Sequence, residues 1–353
     1  MMDRGSFNGP GGPHTRWQIP PQQGGAMGSL HTMRDKVQIG LVGNESIVYL
    51  SRQALPASGL AVVDLTARAI FSGLMGIRIG LNADLSPACN VNTEIQCDGG
   101  GYNSYDIEVV DRMGADSFTT DSGVLLSKSK PTFGTYQWVI DANPQDIKLL
   151  DFHRPDGTPV YATLGDYRQL ADAPFHAGTR SGSQYEYVDV ANNLHFYIID
   201  AHRDAAGVLS YTTAIRAANS TSPHKHKASL SWGRATPGVN KPLQKGVTCT
   251  FELKNTGTYS AAAANAGHPI DVTSYLRSDV YRLETSVSGK GWSVELPNAL
   301  SAIAFGGKKN VGVAVKADKD ASLIATVKLV VRSESDKKIS ATGICLVGKY
   351  LNL

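Results

Sequence analysis

The stretch GSQYEYVDVANNLHFYIIDAHRDAAGVLSYTTAIR, residues 182–216, decides the fold class. Tyr, Val, Phe and Ile crowd YEYV and LHFYIIDAH, and such residues suit a pleated, half-buried surface. Between the two runs stands Asn192-Asn193, a pair that tolerates the left-handed backbone of a tight turn. Asp204 to Gly207 then turns the chain into VLSYTTAI. A hairpin and a third strand are predicted here.

The same grammar extends in both directions. Upstream, residues 44–51, 59–71, 75–82 and 135–141 have strand character, and 99–128 alternates turns with strands. Downstream, residues 245–259, 279–298, 310–318, 325–336 and 339–347 alternate apolar and polar side chains between turn signals. Trp292 opens one of these strands and is expected to anchor a core. The downstream series predicts an immunoglobulin-like sandwich. A stretch rich in Ser, Thr, Pro and Lys, residues 217–242, reads as a linker. Residues 1–35 read as loop with aromatic anchors. The expected fold class is mainly β: a short N-terminal portion (1–45), a β-rich middle domain (46–216), the linker (217–242) and the sandwich (243–353).

Composition bounds the function. With 353 residues, 42% hydrophobic and 18% charged, the chain can bury a sizeable core. A net charge of +3 with no basic run argues against a nucleic-acid partner. The most apolar region, residues 55–81, contains Asp64, Arg68 and Arg78, which argues against a membrane helix. No signal peptide is visible at the start. The four cysteines, Cys89, Cys97, Cys249 and Cys345, form no Cys-x-x-Cys. Cys89 and Cys97 flank a short polar loop and are expected to close it as a disulfide, with two free thiols as the other reading. Cys249 and Cys345 either bridge or pack as small apolar groups. Two N-glycosylation sequons, at Asn44 and Asn219, lean with the loop cysteines toward an extracellular protein.

Catalytic motifs are scarce. No His-Glu-x-x-His, no Gly-x-Ser-x-Gly and no phosphate loop occurs. Ser181 sits in GTRSGS, which lacks the glycine two residues before the serine that a nucleophile elbow needs. His224-Lys225-His226 alternates two imidazoles on one side of an extended chain, a spacing that can chelate a metal. The flanking lysines repel cations, and solvated linker is the plainer reading. His195, Asp200, His202 and Asp204 cluster in one strand-like run, and the last three share a side. They suggest either a metal or proton-transfer group or a polar, solvent-facing strand end. Asp111, Asp116 and Asp121 recur every five residues, as calcium ligands or as turn formers. His14 and His31 read either as site residues or, more plainly, as satisfied, partly buried histidines.

Three segments together resemble one family. Residues 1–17, MMDRGSFNGPGGPHTRW, with 30–42, LHTMRDKVQIGLV, are similar to the stretch after the zinc motif in immune inhibitor A-like secreted metallopeptidases. Met2, Gly5, Pro13, His14, Lys36 and Gly40 stand at comparable places. In residues 105–128, Tyr105, Val109, Arg112, Gly114, Asp116, Gly123 and Leu125 fit a second segment. Residues 138–147 and 166–182 look like fungal secreted relatives. The resemblance covers about residues 1–215. It implies that 1–45 is the remnant of a zincin-type catalytic domain and that the sandwich is an appended accessory module. It also implies zinc and extracellular proteolysis for the full-length form. The zinc-binding helix of that family, with its two His one turn apart and its Glu as general base, is absent from this sequence. No catalytic, cofactor-binding or metal residue is therefore carried over. The chain itself is expected to be inactive, from a truncated gene model or a degenerate paralogue. Protein or polysaccharide surfaces are the expected partners. The alternative function is an extracellular carbohydrate- or protein-binding sandwich, favoured by an exposed aromatic strip. A weaker option is a hydrolase built on His202 and its neighbours.

Overall fold

A computed structural model describes residues 30–349, except 71, 95, 118, 120, 133–136, 147–148, 162–171, 219–221, 238–245, 262–267 and 269. The chain is mainly β. It forms two compact units, and neither is contiguous in sequence. The first comprises residues 1–53, 63–177 and 181–213; the second comprises 54–62, 178–180 and 214–353.

The first unit carries two main sheets. One has the order β1-β3-β4-β5-β6, from β1 (Ile47–Ser51), β3 (Gly76–Gly80), β4 (Ser104–Val110), β5 (Gly123–Ser129) and β6 (Trp138–Val139). β1 runs parallel to β3, and the later neighbours are antiparallel. The other has the order β2-β11-β10-β9, from β2 (Ala61–Thr66), β9 (Glu186–Asp189), β10 (Leu194–Arg203) and β11 (Leu209–Ala217). The division between units runs through β2 and β11. The predicted hairpin is present, with Leu194 opposite Asp189 and Asn193 at φ 55° in its turn. A short pair, β7 (Leu150–His153) and β8 (Pro159–Tyr161), completes the unit.

Strand parity explains its core. Tyr105, Ile107 and Val109 alternate along β4 onto one face, and all are buried. Tyr105 meets Phe196 of β10 at 5.0 Å between ring centroids, and Phe196 meets Tyr187 at 6.1 Å. The first pair marks the sheet-on-sheet contact, and the second is a cross-strand pair within the β9–β10 ladder. The opposite face of β4 carries Ser104, Asp106 and Glu108, also buried, so it needs polar partners.

Residues 33–35, expected as loop, belong to the short helix α1 (Met33–Gln38). The Thr32 hydroxyl caps it by accepting from the Asp35 amide.

The second unit is a two-sheet sandwich. One sheet has the order β12-β14-β18-β16, with β13 also on β14: β12 (Ala228–Leu230), β13 (Arg234–Pro237), β14 (Val247–Asn255), β16 (Trp292–Glu295) and β18 (Lys308–Ala317). The other has the order β17-β15-β19-β20: β15 (Ser278–Ser288), β17 (Leu300–Ala304), β19 (Ile324–Ser333) and β20 (Ser340–Gly348). Their inner faces share one core that includes Phe251, Leu283, Val313, Val327, Leu329 and Trp292. Trp292 is buried as expected, and its indole donates to the Ser322 carbonyl at 2.9 Å.

The stretch read as linker is corrected in part. Residues 228–230 and 234–237 are strands paired to β14. Its Ser and Thr side chains suited a solvated chain, but the backbone groups complete a sheet edge. β17 went unread because LSAIA is too short and small to announce a strand.

Candidate functional site

Each group of residues with catalytic potential can be followed to its place. Asp111, Asp116 and Asp121 do not converge. Asp111 accepts two bonds from Arg203, at 2.7 and 2.8 Å, which outweigh burial and hold its carboxyl below the usual range. Asp121 pairs with His176 at 2.8 Å. That bond lifts the His176 imidazole above its ordinary value. Asp116 is fully buried against Arg68, which donates from Nε at 2.7 Å and Nη2 at 3.0 Å. Arg68 also reaches Glu108 at 3.3 Å. Burial alone would push this guanidinium down, but Glu108 and Asp116 hold it above its ordinary value. Glu108 accepts the Met33 amide at 2.9 Å, and Lys36 Nζ donates to the Arg68 carbonyl at 2.7 Å. Burial depresses Lys36 and raises Glu108. This charged core fastens α1 to β4. The aspartates serve structure, each with its own partner.

The 195–204 group divides by parity. His195 is buried, stacked on Tyr197 at 3.9 Å, with Nε2 3.0 Å from Glu186 and Nδ1 2.9 Å from the Tyr197 hydroxyl. His202 and Asp204 are exposed. Asp204 accepts the Ala206 and Val208 amides, so it shapes the turn. The polar strand end is what the structure shows. Ser181 donates to the Ser183 carbonyl at 3.2 Å, a local loop bond. His31 is half-buried. His14 and Asn219 lie outside the described residues. Asn44 is exposed at the start of a short 3₁₀ turn, and its side-chain oxygen accepts the Tyr49 hydroxyl at 2.9 Å.

The most concentrated group is in the second unit. His224 and His226 were expected as solvated linker, but His224 is buried, 7% exposed, and the His226 side chain is 3% exposed. The His224 ring packs on Tyr259 at 4.8 Å and Phe305 at 5.2 Å. His226 Nδ1 lies 2.8 Å from Oδ2 of Asp279, which is fully buried. The Ser333 and Ser335 hydroxyls also donate to Asp279, at 2.6 and 2.7 Å. The Ser260 amide donates to His224 Nδ1 at 3.1 Å. An Nδ1 that accepts carries no proton, so the neutral ring has its hydrogen on Nε2. That nitrogen is then unsuited to a metal, and the chelate suggested by the spacing does not form. Ser260, Ser333 and Ser335 gave no warning in the sequence. The inward parity of Asp279 on β15 was the one usable sign.

Among the described residues no group of three or more His, Cys, Asp or Glu is placed to hold a metal ion. A shallow, solvent-open hollow lined by Gly59, Leu60, Arg216, Ser222 and Ser335 measures about 150 Å3. Small-molecule sites take roughly 300 Å3 or more. Both disulfides are present: Cys89 joins Cys97, and Cys249 joins Cys345. No helix among the described residues is long and apolar enough to cross a membrane.

Comparison with known proteins gives the chain its relatives. Residues 38–218 match a family model described as "middle domain". Residues 229–349 match one described as "Peptidase M6-like domain". A protein of Arthroderma benhamiae, named "Putative secreted metallopeptidase", is 58% identical over 357 aligned residues. That alignment takes in the whole of this chain and 52% of the relative, so the chain spans about half the relative's length. The two disulfides fit secretion, which the relative's name states. The chain belongs to the family whose middle domain the first of these models describes, and its C-terminal part is similar to a peptidase M6-like domain.

Proposed function

We propose that these 353 residues are the non-catalytic portion of a secreted zinc metallopeptidase, whose zinc-binding helix belongs to a part of the protein outside this sequence. One observation supports this most. Residues 229–349, which match the peptidase M6-like domain, contain a single histidine, His268. A catalytic zinc takes three protein ligands, commonly with two histidines one helical turn apart. The whole sequence has no such pair around a glutamate. In this reading the sandwich is an immunoglobulin-like accessory module, the partners are substrate protein surfaces, and Asn44 carries a glycan.

The carbohydrate-binding alternative draws less support. Trp292 is core, and among the described residues of the sandwich only Trp232, 77% exposed, is a large aromatic left to solvent. A single indole makes no strip.

The test is hydrolysis of an unfolded protein substrate by the purified 353-residue chain, with and without a zinc chelator. No chelator-sensitive cleavage is expected. Chelator-sensitive cleavage that co-purifies with the chain overturns the reading.

A further inference from the structure

His224 is built into the second unit in its neutral form. Its Nδ1 accepts the Ser260 amide, while Lys225 and Thr258 exchange two backbone bonds at 3.1 and 2.8 Å. Together these fix the 258–260 segment beside β12. Protonation would place a hydrogen on Nδ1, facing the Ser260 N–H. One bond would be lost and two donors would confront each other in a buried site. The surroundings offer no relief. His226 lies 6.3 Å away between ring centroids, its Nδ1 already on Asp279. Asp279 accepts from His226, Ser333, Ser335 and the Val280 amide. Arg277 sits 5.3 Å from the Tyr259 ring and adds positive charge. From residues 54–62 the ring meets Ser58 and Gly59, and the Ser222 hydroxyl accepts the His224 backbone amide at 3.3 Å; none of these is charged. Phe305 closes the remaining side. His226 Nε2 is itself buried without a hydrogen-bond partner.

We propose that His224 is an acid-sensitive latch: neutral, it holds Tyr259–Ser260 in place, and protonated, it releases them. Burial first, then His226, pushes the His224 imidazole below its ordinary value of 6.5, against weaker upward pulls from the Ser58 backbone and Asp279. Above pH 6.5 both open and closed states are neutral and the latch is at full strength. As pH falls below 6.5 the open state binds a proton that the closed state refuses. The opening equilibrium then rises by at most tenfold per pH unit, until the closed-state value is passed. His268 is also depressed by burial and has the same sign, so the readout must be local.

The experiment is amide hydrogen exchange of the 353-residue chain between pH 7.5 and 4.5, corrected for intrinsic rates, read in peptides covering 256–261. Protection there is expected to fall by up to about tenfold per unit below pH 6.5. In His224→Asn, whose Oδ1 can accept the Ser260 amide without titrating, that fall should vanish. No fall in the unaltered chain, or the same fall in the variant, overturns the proposal. Should the variant not fold, NMR titration of the unaltered chain decides. A value below 6.5 with the proton on Nε2 supports the latch; a value of 6.5 or above, or a proton on Nδ1, overturns it.

Discussion

Removing the two disulfides in turn should have unequal consequences. Cys249 and Cys345 are 96 residues apart; Cys89 and Cys97 are 8 apart. A cross-link stabilises mainly by restricting the unfolded chain, with an entropy that grows as the logarithm of loop length. For loops of these lengths the relation gives about 4.7 and about 2.6 kcal/mol at 25 °C, a difference of about 2 kcal/mol. Burial adds to the contrast. Cys249 and Cys345 are 0% and 1% exposed and join β14 to β20, one strand from each sheet. Replacing both by alanine also removes packed sulfur from the sandwich core. The assay compares Cys249→Ala/Cys345→Ala with Cys89→Ala/Cys97→Ala. Opening free energies come from the slowest-exchanging amides of β14 and β19 for the first pair, and of β4 and β5 for the second. A local pair that costs as much as the inter-sheet pair would refute the reasoning.

Two further perturbations test the packing. Arg68→Met strands Asp116 and Glu108 as buried carboxylates, and a loss of about 3–5 kcal/mol is expected in denaturant unfolding of the first unit; a loss under 1 kcal/mol would show that the carboxylates find protons or other partners. Gly233→Ala places a methyl group 2.5 Å from the Cys345 Cβ and 2.7 Å from the Phe251 ring. Overpacking of that kind typically costs about 1–3 kcal/mol, and an unchanged melting temperature would contradict it.

Much of the fold was written in local pattern. The 186–217 strands declared themselves because alternation, aromatic content and Asn192-Asn193 agreed. Trp292 could be placed in a core for the same reason. The 217–242 stretch misled because its composition is polar while its role is to hydrogen-bond an edge of β14, and pairing with a distant strand leaves no local mark. The histidines show the limit most clearly. His224 and His226 were visible as a spacing, but what fixes their chemistry is Asp279 and Ser260, which lie 53 and 36 residues away from their partners. A buried pair of this range is a product of topology. The Arg68–Asp116 pair, 48 residues apart, is another.

The second unit's early segments set a timetable for synthesis. Residues 54–62 and 178–180 belong with 214–353, so they leave the ribosome long before most of the strands they will accompany exist. Leu55 and Ser58, fully buried in the finished protein, must wait in solvent, or on a chaperone, while nearly three hundred residues follow. Closing such long-range contacts late is slow and exposes apolar surface. A fragment cut to the boundaries of the 229–349 domain would never receive those segments at all.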